Sequence, residues 1–275
     1  MRIAVIGHVE HITLGRVPAV PRPGEIAHLE EPRSFPGGGG GVAFFQLTRS
    51  PAEVLLYTAL GDDEAGAAVQ RRISATSARI FAARRQSSHT RDVVMITPDG
   101  ERTIVVIGEP LHPERADPLP WEELASCDAA YFTGQDPDTI VAARAARLLV
   151  VTARRRVSLL RSGVRADVVV GSARDPREKC SLEDFPPAQR PAALVLTEGA
   201  AGGVVYTADG GQRFPAPSRP GKGGGAYGAG DSFAGALTYF LAKGLPAVEA
   251  CTRAGHYGAA VLGALEPLAA QQPLE

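Results

Sequence analysis

Gly228-Ala229-Gly230-Asp231-Ser232-Phe233-Ala234-Gly235 follows a stretch, 221–225, that is nearly all glycine, and it reads as the opening of a helix. Backbone N–H groups in a first helical turn lack intrahelical partners, and with the helix dipole they form an anion site. Small residues let a phosphate come close to that backbone. A carboxylate in the same turn is a poor choice for a pure phosphate cradle. It makes sense where a hydroxyl attacking that phosphate must give up its proton. The stretch therefore points to phosphoryl transfer, in which a protein mainly positions groups and stabilises charge. The backbone of Gly228, Ala229 and Gly230 would hold the moving phosphoryl oxygens, and Asp231 would act as the base. Lys222 precedes the glycines and no Ser/Thr follows it, so this is not a Walker A loop.

The segments leading to this motif alternate in character. Ile3–Ile6, Val54–Tyr57, Ala129–Phe132, Leu148–Val151, Val168–Val170 and Leu194–Leu196 are short apolar runs. Between and after them lie helical patterns near 42–49, 64–73, 138–147, 154–162, 174–184, 231–243 and 247–263. Buried strands joined by helices predict a parallel sheet covered on both faces. Two stretches break the rhythm. Residues 11–35 are extended and proline-punctuated, and residues 91–107 form a hairpin pattern around a Pro98-Asp99-Gly100 turn. Both are expected to pair into a small lid over the carboxyl edge of the main sheet. The expected division is a core of 1–10, 36–88 and 109–275, with 11–35 and 89–108 as a discontinuous β lid.

Composition narrows the function class. The 275 residues carry 29 basic and 30 acidic side chains, so nothing global favours nucleic acid or a membrane surface. The three cysteines, Cys127, Cys180 and Cys251, form no close pair, which excludes a CxxC motif and fits a reducing cytosol. Met1–Gly7 reads as a first strand rather than a signal peptide, and no apolar run is long enough for a bilayer span.

Other motifs carry weaker signals. Gly37–Gly41 leads into a helical pattern and lets a polar ligand lie against the backbone, making Gly38 and Gly39 candidate substrate contacts. Thr197-Glu198-Gly199-Ala200-Ala201-Gly202 follows a strand and suits nucleotide contact through Thr197, Gly199 and Gly202, although a plain tight connection explains it equally well. His8, Glu10 and His11 lack the helical spacing of a zinc-protease motif and read as no metal site. The Arg154-Arg155-Arg156 run reads as a solvated helix face rather than an anion site.

These residues resemble the ribokinase-like sugar kinases, the PfkB carbohydrate kinase family, over nearly the whole chain. Gly228–Phe233 with Gly235 resembles the family's C-terminal signature. Pro23-Gly24-Glu25, Gly37–Gly41, and Leu60-Gly61-Asp62-Asp63 with Gly66 resemble its N-terminal half in order and spacing. Thr90-Arg91, Asp99–Thr103 and Thr197–Gly202 fall where its pattern expects them. The resemblance implies a three-layer α/β/α core with a β lid, ATP as donor, Mg²⁺, Asp231 as base and the Gly228–Gly230 backbone as anion hole. It also implies a sugar or nucleoside acceptor, a cytoplasmic protein and dimerisation through the lid.

The departures are specific. Gly225-Ala226-Tyr227 replaces an Asp-Thr-Thr whose Asp helps bind a monovalent cation in many relatives. Val42 replaces an Asn that commonly contacts a sugar hydroxyl. Ile12 stands for an early Asp, leaving Glu10 as the nearest acidic substitute. Ser172-Ala173-Arg174-Asp175 replaces an Asn-x-x-Glu associated with Mg²⁺, so Ser172 and Asp175 are expected to act through water. The leading expectation is an ATP-dependent sugar or nucleoside kinase. The alternatives are a weakly catalytic or non-catalytic binding protein of the same fold, and a Gly-Asp-Ser hydrolase using Ser232, which lacks the late Asp-x-x-His such enzymes need.

Overall fold

The computed structural model describes residues 1–218 and 225–275. Lys222 and Gly221, Gly223 and Gly224 of the glycine stretch lie outside the described residues.

In chain order the elements are β1 (Arg2–Ile6), β2 (Glu10–Arg16), β3 (Glu30–Gly37), α1 (Gly38–Leu47), β4 (Glu53–Gly61), α2 (Glu64–Ser74), β5 (Arg79–Arg85), β6 (Arg91–Ile96) and β7 (Arg102–Ile107). They continue as β8 (Ala129–Phe132), α3 (Pro137–Ala143), β9 (Leu149–Thr152), α4 (Arg156–Ser162), β10 (Val168–Ser172), β11 (Ala193–Thr197), β12 (Gly203–Thr207), β13 (Gly210–Phe214), α5 (Ala229–Ala242), α6 (Ala247–Ala260) and α7 (Pro267–Ala270).

The main sheet runs β13-β12-β11-β10-β9-β8-β1-β4-β5. From β5 to β11 it is parallel; β12 and β13 fold back antiparallel. Strand alternation sends successive side chains to opposite faces. Ile3, Val5 and Leu56 therefore join the core under α1, α2, α5 and α6, whereas Ala4, Ile6 and Tyr57 join the core under α3 and α4. This is the expected three-layer α/β/α architecture. The edge strands β5 and β13 were not among the sequence-derived runs. β13 is rich in glycine and polar residues, and the apolar run of β5, Ile80–Ala83, is framed by Arg79, Arg84 and Arg85.

The second sheet runs β3-β2-β6-β7, with β2 parallel to β6 and the flanking pairs antiparallel. Ile12, Leu14, Phe35, Val94 and Ile96 pack on Val42, Tyr227 and Leu268, which ties this sheet to the core. Its connection is anchored at two points. The Asp63 carboxylate caps α2 by accepting from Gly66 N–H at 2.9 Å and also accepts from His89 N–H at 3.1 Å. The Thr90 hydroxyl donates to the Glu109 carbonyl at 2.7 Å where the chain returns.

Two helical expectations are corrected. Residues 174–184 are not a helix: Asp175 and Glu178 turn to Arg154, and Ser181 with Asp184 caps a separate short turn, Leu182–Asp184. The helix expected from 42 begins at Gly38, so most of the glycine run is its first turn rather than a connector before it.

Candidate active site

Helices α1 and α5 meet through small residues. A Cβ at Gly235 would lie 2.8 Å from the Ala43 carbonyl oxygen, so only glycine allows this approach. The contact brings the two helix starts together. Gly228, at φ 77°, turns the chain into α5 in a left-handed conformation that a side chain disfavours. Asp231 follows in the first turn, and a Cβ on Gly39 would come within 3.2 Å of its Oδ1. The catalytic carboxylate predicted from sequence thus faces the glycine turn predicted to touch substrate.

At the start of α5, Ala229 N–H reaches the Ala226 carbonyl at 3.4 Å, and the helical ladder begins with Ser232 N–H donating to Gly228 at 2.9 Å. That leaves Gly230 N–H and Asp231 N–H in the stretch where helix geometry provides no partner. A Cβ on Gly230 would meet no atom within 4 Å, so the turn opens onto free space. Desolvation, reinforced by the Glu178 charge, pushes the Asp231 carboxyl up to about 6. Ser232 is fully buried, with its hydroxyl accepting from Gln271 Nε2 at 3.1 Å, which removes the hydrolase reading.

Opposite Asp231 lies a cluster of side chains from distant segments. Gly38, at φ 76°, donates its N–H to the Tyr227 hydroxyl at 3.1 Å, and Gly39 N–H donates to His8 Nε2 at 3.2 Å. Glu10 opens β2 beside Gly38 and is nearly buried next to Asp92 of β6. Burial, then the neighbouring Asp92, raises the Glu10 carboxyl far above the usual carboxylate range. His8 lies 3.7 Å from Glu10, yet burial, His112 and Arg155 hold its imidazole neutral, so the contact is no ion pair. His8 Nδ1, Thr133 Oγ1 and His112 Nδ1 are buried without a partner among the described residues.

The remaining predicted residues sit on the β10–β13 side. Thr197 ends β11, where its hydroxyl donates to the Gly171 carbonyl at 3.3 Å. Gly199 (φ 64°) and Gly202 (φ 82°) shape the following turn, closed by Glu198 N–H donating to Gly202 at 2.7 Å. Asp175 pairs with Arg154 at 2.5 Å, and Glu178 pairs with the same guanidinium at 2.8 Å while accepting from Ser172 N–H at 2.9 Å. No group of three or more metal-ligating side chains occurs among the described residues. With Arg154 already on both carboxylates, this donor set does not fit a resident Mg²⁺ ion.

The arginine run is only partly the solvated face expected from sequence, with Arg154 exposed. Arg154 makes the pairs just given, and Arg156 reaches the Lys179 carbonyl at 3.2 Å. Arg155 turns inward, donating to the Thr133 carbonyl at 3.0 Å and approaching His112 Nε2 at 3.3 Å.

Residues 176–271 match the model of the pfkB family carbohydrate kinases. A structure of a putative ribokinase from Agrobacterium tumefaciens superposes with a TM-score of 0.81 at 20% identity, covering 98% of this chain and 94% of that one. The chain carries a pfkB-type C-terminal segment on a ribokinase-like fold. The same fold recurs in the ribokinase of Giardia lamblia (TM-score 0.80, 14% identity, 99% and 96% covered). It recurs again in the adenosine kinase of Sinorhizobium meliloti (TM-score 0.78, 17% identity, 99% and 96% covered). No curated protein matches the chain in sequence.

The family resemblance did not single out the side chains gathered opposite Asp231. His8, Asp92, His112, Thr133, Arg155 and Tyr227 come from six separate segments, and none stands in a spacing that signals the others. Tyr227 is the partial exception. It sits inside the departing Gly225-Ala226-Tyr227 triplet, and its hydroxyl now holds the α1 turn. Ile12 and Val42, two further departures, are fully buried in the core that joins lid and main sheet. No polar contact with an acceptor arises from either.

Proposed function

We propose that this chain transfers the γ-phosphoryl group of ATP to a hydroxyl of a sugar, sugar-like compound or nucleoside, with Asp231 as general base. One observation carries the reading: the Asp231 carboxyl stands in the open first turn of α5, against the α1 glycine turn, with its proton affinity tuned to about 6. At neutral pH it is ionised yet still basic enough to accept a proton. In the transfer, the acceptor oxygen loses its proton to Asp231 and bonds to the γ-phosphorus. The bond from that phosphorus to the bridging oxygen breaks, and ADP leaves. The free N–H groups of Gly230 and Asp231, set by the Gly228–Ala229 turn, face the developing charge on the phosphoryl oxygens. Thr197, Gly199 and Gly202 contact the nucleotide, and Glu10, Gly38 and Gly39 contact the acceptor.

Mg²⁺, which generally accompanies ATP in this chemistry, would enter with the phosphates and keep most of its waters. Dimerisation through the lid fits Ile104, Val105, Val106 and Ile107, which the edge strand β7 leaves exposed in an unbroken row. The deciding experiment is ADP release measured over a panel of sugars and nucleosides. At least one acceptor should raise the rate well above the acceptor-free background. Binding of acceptors without any such increase would instead support a non-catalytic ligand-binding protein of this fold.

A further inference from the structure

Beside the acceptor cluster lies a cavity of about 690 Å³ whose walls carry Arg85, Arg115, Arg154, Arg155 and Arg161 together with His112. Its carboxylates are mostly committed or peripheral. Asp136 caps α3 and accepts from Arg115 N–H at 2.9 Å. Glu109, Glu114 and Asp138 are exposed at the rim. Arg85 is satisfied by Asp117, with contacts of 2.6 and 2.8 Å. Arg155 differs from the paired Arg85 and Arg154, and from the exposed Arg115 and Arg161 in being partly buried. No carboxylate pairs with it among the described residues, and its partners are a carbonyl and a neutral imidazole. Burial, then the charge of Arg154, works against its protonated form, and burial followed by Arg155 depresses His112 to about 3.

A partly buried guanidinium that has no counter-charge is costly, and pairing with an anion removes that cost. The cavity adjoins the Asp231 centre through its His112 wall. His112 meets His8 edge-on at 5.0 Å between ring centroids, and His8 holds Gly39, which lies against Asp231. The orphaned His8 Nδ1, His112 Nδ1 and Thr133 Oγ1 cluster along this route. Burial and the neighbouring Asp92 favour the protonated form of Glu10, which reduces the negative charge of the Glu10–Asp92 pair.

We propose that the acceptor carries an anionic group, a carboxylate or a phosphate, which Arg155 binds in this cavity while its hydroxyl faces Asp231. The proposal rests on the phosphotransfer reading. Its recognition element is bidentate guanidinium pairing, which carboxylate and phosphate share.

The test uses matched sets of a neutral sugar, its sugar acid, its terminal sugar phosphate and a nucleoside. ADP release and calorimetric binding without ATP are both measured, on the wild type and on Arg155→Gln, Arg155→Lys and Ser158→Glu. Ser158 lines the cavity, so a carboxylate placed there adds a negative charge that opposes an anionic ligand. The expected result is selectivity for the acid or for the phosphate, whichever wins identifying the group. In Arg155→Gln, kcat/KM for that acceptor should fall roughly 100-fold, chiefly through KM, with partial recovery in Arg155→Lys. Ser158→Glu should raise the same KM several-fold. A preferred neutral acceptor, indifferent to all three substitutions, overturns the proposal and leaves phosphotransfer intact. Anion-selective binding lost in Arg155→Gln, with no ADP release from any acceptor, overturns the phosphotransfer reading and keeps the anion site.

Discussion

The two halves of the cleft are built in opposite ways. The side formed by α5 and the β10–β13 strands presents mainly backbone: the opening turn of one helix and a tight turn after β11. The side formed by α1, β2 and β6 presents side chains gathered from residues 8 to 227. Backbone donors come from a contiguous motif and tolerate little variation in local conformation. Side-chain walls depend on packing and can be exchanged one residue at a time. On the proposed reading, the chemistry would reside on the α5 side and acceptor selectivity on the other.

The largest test of this contrast is Asp231→Asn. Turnover should drop by about 1000-fold with nucleotide affinity nearly unchanged, as expected for loss of a general base; a loss below tenfold in single-turnover assays would break the assignment. The same group sets a pH limb. The free enzyme's kcat/KM should rise with pH through about 6 as Asp231 ionises. A limb near 4 would mean that the carboxyl is not desolvated.

Asp231 also bears on stability, and the sign is definite. Its folded pKa is raised above the unfolded 3.8, so the native state binds the proton more tightly, and stability is lost as pH climbs from about 4 to about 6. Asp231→Asn should accordingly raise Tm at pH 8 while leaving it nearly unchanged at pH 4.

On the acceptor side the effects are smaller and mostly structural. Gly38→Ala places a Cβ 2.9 Å from Glu10 Oε2 and His8 Cδ2 at a left-handed φ, which should cost about 1–3 kcal/mol and raise the acceptor KM more than it lowers kcat. Chemical denaturation with steady-state kinetics reads both. Glu10→Gln is gentler. Burial raises the Glu10 carboxyl, so wild-type stability falls as pH rises above the ordinary carboxylate range. The amide variant should show a flatter stability-versus-pH curve between pH 5 and 9.

The contrast also explains how much was legible in the sequence. The parallel core followed from apolar runs of three or four residues, whereas β13 lacks such a run and that of β5, Ile80–Ala83, is bracketed by arginines and only partly buried. The supposed 174–184 helix failed for a related reason. Its polar residues are drawn across space to Arg154, and no local propensity reports such a pull. Asp231 was readable because its helix, glycines and carboxylate are adjacent in the chain. Arg155 was misread because a run of three arginines looks solvated until the loop after β8 closes over the middle one.

The sequence by itself determined the layered α/β architecture, the strands that stand apart from the main sheet and the carboxylate at the start of α5, because each rests on short-range periodicity or on neighbouring residues. The tertiary structure alone decided that Tyr227 supports the α1 turn, that Glu10 meets Asp92 and that Arg155 faces inward. Those relations depend on burial and on missing counter-charges, which exist only once distant segments are packed together.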